Sequence, residues 1–272
     1  MKRRQFLTTA GIAALAAASM QTTAIAQAPA SPIFLDFRMT TVSNAQQLDT
    51  LVKYTGETVI PIMTGHGISP IGLFVADPVL NAKEAAYDKK YDNMLFHLIP
   101  HATLNSTMEL GGRLRGDARY IDGLTALSQG RNSQDPAYAA QERMLLRCFP
   151  ECPTVNVPPQ NPNRIFQLRL YRSHDAQRNW AKAHQIGRED GALSLFEECG
   201  INTVFMSSTL YSSFMPSIIF MLSFESEEQK NDAWGKFVAH PGWRKLASDP
   251  AYADTATEII NVYLKPCAGS QI

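Results

Sequence analysis

The 272-residue chain lacks a charge excess, since 25 Lys and Arg face 25 Asp and Glu. Nucleic-acid surfaces draw their affinity from a surplus of cations meeting phosphates, so this balance gives no support for a nucleic-acid partner. Long apolar runs are missing after the first 26 residues, and no later stretch approaches the ~18 consecutive apolar residues that suggest a bilayer span. Cysteine is scarce, limited to Cys148, Cys152, Cys199 and Cys267. Four cysteines allow three full pairings. Cys148 and Cys152 flank Phe149-Pro150-Glu151 and are close enough in sequence to pair, but a chain able to bury a core can also leave all four free. Cys148-x-x-x-Cys152 has no second pair to complete a tetrahedral zinc site, so no metal is expected. Also absent are G-x-S-x-G, H-E-x-x-H, G-x-G-x-x-G and the Walker loop, and no cofactor is predicted from motifs.

The first 26 residues read as a removable export signal. Met1-Lys2-Arg3-Arg4-Gln5-Phe6-Leu7 is a basic start, an Ala-rich run follows from Thr8 to Met20, and small residues surround Ala24-Ile25-Ala26. That is the charged, apolar, A-x-A order of a secretory peptide. Paired arginines before Gln-Phe-Leu resemble the twin-arginine motif, an address rather than an anchor. The other reading is an ordinary signal with two chance arginines. Either predicts an exported, periplasmic protein with no membrane association after cleavage. Removing Lys2, Arg3 and Arg4 leaves 22 of the 25 basic residues against 25 acidic ones.

What the chain does contain is self-similarity. Ile33-Phe34-Leu35-Asp36-Phe37-Arg38 is matched by Ile165-Phe166-Gln167-Leu168-Arg169-Leu170, and His66-Gly67-Ile68 by Cys199-Gly200-Ile201. Further on, Asn93-Met94-Leu95-Phe96-His97-Leu98 is matched by Ser217-Ile218-Ile219-Phe220-Met221-Leu222, and Asp135-Pro136-Ala137-Tyr138 recurs as Asp249-Pro250-Ala251-Tyr252. Four matches in one order define two copies. A first, diverged repeat is assigned to 32–153 and a second to 164–266. Between them 154–163 holds Val157-Pro158-Pro159-Gln160-Asn161-Pro162, a composition that suits a semi-extended spacer.

Each copy reads strand, helix, strand, strand, helix, strand. In the second, strands are predicted over Arg164 to Tyr171, Asn202 to Tyr211, Ser217 to Phe224 and Glu258 to Leu264 by their apolar alternation. A single helix is expected from Ala176 to Cys199, stopped by Gly200. Ser226-Glu227-Glu228-Gln229 is a capping box opening a second helix that His240-Pro241 ends. In the first copy Leu48, Leu51, Val52, Thr55, Val59 and Ile62 form a helical stripe that Pro61 must kink or end. The first copy's second helix is expected around Leu104 to Arg115, weakened by Gly111-Gly112. A βαββαβ unit is the ferredoxin-like arrangement, and its sheet leaves one face to be covered. The fold class expected is α+β, two tandem ferredoxin-like units forming a barrel of the dimeric α+β kind.

The second copy resembles the NIPSNAP family over roughly Arg164 to Pro266. The resemblance rests on Phe166-Gln167-Leu168-Arg169-Leu170-Tyr171, on Leu195-Phe196 before Gly200-Ile201, and on Asp232-Ala233-Trp234 with Phe237 and His240-Pro241-Gly242-Trp243. His240 stands where the family usually has an acidic residue. The resemblance implies an α+β barrel that is often dimeric, hence a possible homo-oligomer, and no agreed mechanism. Related barrels include cofactor-independent monooxygenases, haem proteins and isomerases, so fold kinship licenses no reaction.

Candidate site residues follow from placement. Arg169 and Tyr171 share a strand face; if that face lines the barrel they can bind a carboxylate, phenolate or other polar group. Otherwise Arg169 pairs with a neighbouring carboxylate. Trp180 and His184 are four apart on a predicted helix and share a face. An inward face makes His184 a base or an axial haem ligand, and an outward face makes it a surface contact. His66 precedes turn residue Gly67, at the barrel mouth or as a plain turn residue. His97 and His101, on a strand and its exit, read as two unrelated histidines. Trp234, Phe237 and Trp243 read as packing residues. Arg38, the nearest counterpart of Arg169, is one place out of register and is expected on the other face.

Three readings stay open. The first is a protein binding a small, partly apolar molecule in a cavity enclosed by the two sheet faces. The second is a cofactor-independent monooxygenase or isomerase using His184 or Arg169. The third is an interaction scaffold whose barrel is packed solid.

Overall fold

The computed structural model describes residues 31–272, so the expected export signal lies outside the described residues. The first half runs β1 (Phe34–Thr41), α1 (Ala45–Tyr54), α2 (Ile60–Gly65), β2 (Gly72–Ala76), α3 (Pro78–Asn81), β3 (Met94–His101), α4 (Leu104–Arg115), α5 (Ala118–Ser128) and β4 (Ala140–Cys148). The second runs β5 (Ile165–Arg172), α6 (Ala176–Gly187), α7 (Ala192–Glu198), β6 (Asn202–Tyr211), β7 (Ser217–Phe224), α8 (Glu227–Ala239), α9 (Pro241–Ser248) and β8 (Glu258–Pro266). The eight strands close in the order β1-β3-β2-β8-β5-β7-β6-β4, with every neighbouring pair antiparallel. Each half therefore has the order of a ferredoxin-like sheet, and the halves join edge to edge through β2–β8 and β4–β6.

Strand alternation sorts the side chains into three cores. Leu35, Phe37 and Met39 of β1 and Phe166, Leu168 and Leu170 of β5 point into the barrel, where they meet Phe74, Phe96, Phe205, Met221 and Val262. An eight-stranded barrel is just wide enough for side chains to fill, and here the five phenylalanines fill it. The expectation of a cavity between the two sheet faces is thereby corrected. The other two cores lie between sheet and helices, one around Ile60, Met63, Leu95 and Leu110, the other around Phe196, Phe220 and Phe237.

The helices show where local chemistry overrides a simple stripe. Pro61 lacks the N–H that a continuous helix needs. The chain accommodates it through a π-helical segment, Thr55–Val59, between α1 and α2, which places Pro61 in the first turn of α2. The single helix expected from Ala176 to Cys199 is two helices. It breaks at Arg188–Gly191, where Gly191 permits a close approach to the end of α6: a Cβ there would stand 2.6 Å from the Ile186 carbonyl oxygen and 2.8 Å from those of Gln185 and Arg188. Pro241 ends α8 as expected, then starts α9 at its own first turn. Gly67 and Gly200, paired by the repeat, both adopt positive φ (77° and 80°) just after a helix, where only glycine is at ease. Cys148, Cys152, Cys199 and Cys267 are free.

Phe166→Ala should empty part of the barrel centre and lower the unfolding free energy by about 3–5 kcal/mol. Met108→Ala, at a side chain 79% exposed, should stay within ~0.5 kcal/mol. Urea denaturation followed by circular dichroism measures both.

Candidate functional site

Because apolar side chains fill the barrel, the polar residues of each strand point outward, into the layer beneath the helices. In the first repeat Arg143 of β4, Arg38 of β1 and His97 of β3 stand directly opposite one another across three strands. Asp36, two residues before Arg38 and on the same face, is 3% exposed. It accepts from Arg38 Nη2 at 2.6 Å and from Arg143 Nη2 at 2.5 Å. Burial alone would raise its pKa, but Arg38 and Arg143 outweigh it and hold the carboxyl below its usual range. Arg38 uses Nε and Nη2 on Asp36, leaving Nη1 without a protein partner among the described residues.

His97 and His101 lie on the same face of β3, separated by Ile99, because strand side chains alternate with period two. His101 Nδ1 is 2.9 Å from Ser106 Oγ. The Nε2 atoms of both histidines are sealed from solvent and have no hydrogen-bond partner. Burial, then the Arg38 charge, pushes His97 down to about 3 against the opposing pull of Asp36. His101 is pushed down to about 4, mainly by burial. Both rings are neutral at pH 7. A buried polar atom left unpaired costs about 1–3 kcal/mol, and of the two rings it is His97 that also lines a cavity.

A cavity of about 140 Å³ opens beside this row. Its floor is Arg38, Thr40, Leu95, His97 and Ile99 of the sheet, and its roof comes from α1, the π segment, α2 and α5. Thr55 and Val59 of the π segment line it; such wide turns recur at functional sites. Tyr54 donates to the Tyr120 carbonyl at 2.9 Å. It can do so because α5 carries Gly123, where a Cβ would stand 2.1 Å from the Tyr54 ring. Arg38, Leu114, Tyr120 and Gln141 also line an open groove of about 870 Å³ that runs between α4 and β4 to Tyr211. The cavity is thus the deep end of a cleft with a polar floor and an aromatic roof.

The residues singled out from sequence fall in three places. Arg169 and Tyr171 do share a face, but it is the helix-facing one, since Phe166, Leu168 and Leu170 occupy the barrel. Arg38 occupies the same position in its repeat as Arg169, on the same face. The expected opposite orientation is corrected, because the true strand match is shifted by one residue from the sequence match. Trp180, 72% exposed, and His184 look out to solvent from α6, with His184 Nδ1 2.8 Å from the Tyr252 hydroxyl. A haem held there would keep most of its apolar faces in water, so the residues around His184 do not build a haem pocket. His66 is an exposed residue closing α2. Trp234, Phe237 and Trp243 pack edge to face and tilted, with ring centroids 4.6–5.6 Å apart. His97 and His101, read from sequence as two unrelated histidines, share one face of β3 with Ile99 through the alternation His97-x-Ile99-x-His101. Among the described residues no cluster of three or more His, Cys, Asp or Glu side chains could hold a metal ion, and no helix is long and apolar enough to cross a membrane.

No family model matches the chain, and no curated protein matches it in sequence. Solved structures do resemble it. A Fusobacterium nucleatum subsp. nucleatum protein described as a "putative monooxygenase" aligns with TM-score 0.51 at 8% identity, over 87% of this chain and 93% of its own. A Lactobacillus acidophilus protein with the same description aligns with TM-score 0.51 at 12% identity, over 88% and 98%. At these identities the likeness is one of fold: mixed helices and antiparallel strands around an eight-stranded barrel. A NIPSNAP-like domain protein from Burkholderia xenovorans aligns over 40% of this chain and 89% of its own at 14% identity, with a TM-score of 0.33 that carries no argument.

The two neutral histidines predict a specific acid sensitivity. Their folded pKa values lie below the ordinary 6.5, so below pH 6.5 the unfolded chain binds protons that the folded chain refuses. Stability should be unaffected by them above pH 7. Between pH 6 and pH 5 it should fall by up to about 1.4 kcal/mol per pH unit for each histidine. His97→Gln should remove about half of that slope in urea titrations at stepped pH.

Proposed function

We propose that the protein binds a small, partly apolar molecule carrying an acidic hydroxyl or carboxylate in the sheet–helix cleft of the first repeat. The observation that carries this reading is the cavity that brings the Arg38 guanidinium and the neutral His97 ring together beneath an apolar roof. A cavity of about 140 Å³ accommodates a single six-membered ring, since a dry cavity of ~150 Å³ holds benzene in another protein. Leu51, Met63, Leu95 and Leu127 supply apolar contact. Arg38 Nη1 and His97 supply the two polar contacts, and the open groove takes any substituent. The fold shared with proteins described as monooxygenases and the NIPSNAP resemblance of the second repeat support a small-molecule role. The twin-arginine pattern before residue 27 supports a periplasmic place for it.

Neutral His97 favours one further chemical role. A neutral imidazole accepts the hydrogen bond of a bound phenol, and the Arg38 charge, which adds to burial in holding the His97 ring neutral, favours the phenolate form of the ligand. Turnover by an oxygenase or isomerase route would then start from a ligand ionised by Arg38, with His97 as its hydrogen-bond partner.

Calorimetric titration and thermal shift with a panel of substituted phenols and benzoates test the reading. A ligand should raise the wild-type melting temperature and bind about tenfold or more weakly to His97→Gln. An affinity unchanged by that substitution would sink the assignment. If the ligand is also turned over, His97→Gln should lower the rate, and a ligand recovered intact leaves binding alone.

A further inference from the structure

The two repeats provide an internal comparison at the same sheet position. In the first, the row reads Arg143, Arg38, His97, with Asp36 two residues before Arg38. In the second, it reads Asn261, Arg169, Phe220, with Gln167 two residues before Arg169. The arginine is retained while the carboxylate that neutralises it is replaced by an amide. Gln167 is also fully engaged elsewhere, accepting from Trp234 Nε1 at 2.9 Å and donating to Asn261 Oδ1 at 2.8 Å. A second cation then joins: Lys182 of α6 reaches over the Tyr171 ring, with Nζ 5.2 Å from its centroid and 2.8 Å from Gln185 Oε1.

Arg169 lies 5.3 Å from the Tyr171 ring centroid and 5.0 Å from that of Trp234. Its Nε is buried and has no partner. Neither Arg169 nor Lys182 forms an ion pair among the described residues. Burial, then the charge of Arg169, pushes the Lys182 amine down to about 8. Two like charges in a partly dry layer repel one another, and proteins ordinarily answer such a pair with a carboxylate. Arg169, Tyr171, Lys182 and Trp234 are each only half-buried, so the answer can come from solvent.

We infer that the second repeat carries a separate oxyanion site, in which Arg169 and Lys182 hold a small carboxylate or phosphate group beside the Tyr171 and Trp234 rings. A planar guanidinium 5.3 and 5.0 Å from the two ring centroids offers its two Nη groups for parallel hydrogen bonds, and the ammonium adds a movable third donor. The site is independent of the first-repeat cleft. Small ring-free probes, acetate and inorganic phosphate, read it without filling that cleft.

Calorimetry of the full chain in low-salt buffer should show saturable binding of at least one probe. Arg169→Gln and Lys182→Met should each weaken it about tenfold or more, and His97→Gln should leave it unchanged. Preference for acetate identifies a carboxylate ligand, and preference for phosphate a phosphoryl one. Lys182→Met keeps the packing of the lysine stem. It should raise the melting temperature of the ligand-free protein, by removing the repulsion, while abolishing the rise that the probe produces in wild type. Loss of His97-dependent phenol binding with anion binding intact would remove the first site and leave this one. The proposal is overturned if neither anion binds saturably, or if binding is unchanged in both variants.

Discussion

Two strand pairings, β2 with β8 and β4 with β6, govern the rest of the molecule. A single βαββαβ sheet has two open edges and one bare apolar face, both exposed to water and to unwanted pairing. Joining the repeats edge to edge removes all four edges and turns both bare faces into one closed interior. Once that interior is filled by Phe37, Phe74, Phe96, Phe166 and Phe205, alternation leaves no choice for the polar residues of the same strands. They must lie under the helices, so the chemistry of this chain sits outside the barrel wall, once in each half.

The two halves treat that layer differently. In the second, Phe196, Phe220 and Phe237 close the space between sheet and helices, with Trp234 at the rim of the packing. In the first, a cavity remains between floor and roof, lined by Thr55 and Val59 of the wide turn and by Tyr54, which packs on α5 at Gly123. The floor there carries His97 where the second repeat has Phe220. A histidine in place of an aromatic core residue both opens volume and leaves a nitrogen in need of a partner. The cleft and its polarity thus arise from the same position.

Much of the architecture was legible from sequence because repetition and alternation are long-range signals. The order of elements, the α+β class and the turn glycines Gly67 and Gly200 follow from them. Register was not legible to one residue: matching Ile33 with Ile165 maximises identity, but it sets Phe37 against Arg169 and so misplaces Arg38. Whether Arg169 faced the barrel depended on which alternate set filled the interior, and either set on β5 contains bulky groups. The helix break at Gly191 and the π segment before Pro61 were illegible because each depends on carbonyl positions rather than on residue type. His97 and His101 read as unrelated from sequence, because His101 falls at the exit of the predicted strand and the period of two that joins them does not carry that far.

The peptide that joins β4 to β5 has one more consequence. Were the barrel assembled from two identical chains, a two-fold axis would make its outer clefts copies of each other, and any residue gained in one would appear in both. Covalent fusion abolishes that symmetry. Asp36 can then persist in one half while Gln167 stands in the other, and His97 can coexist with Phe220. Each molecule therefore presents one cleft of each kind, in a fixed one-to-one stoichiometry that no homodimer of a single repeat could reproduce.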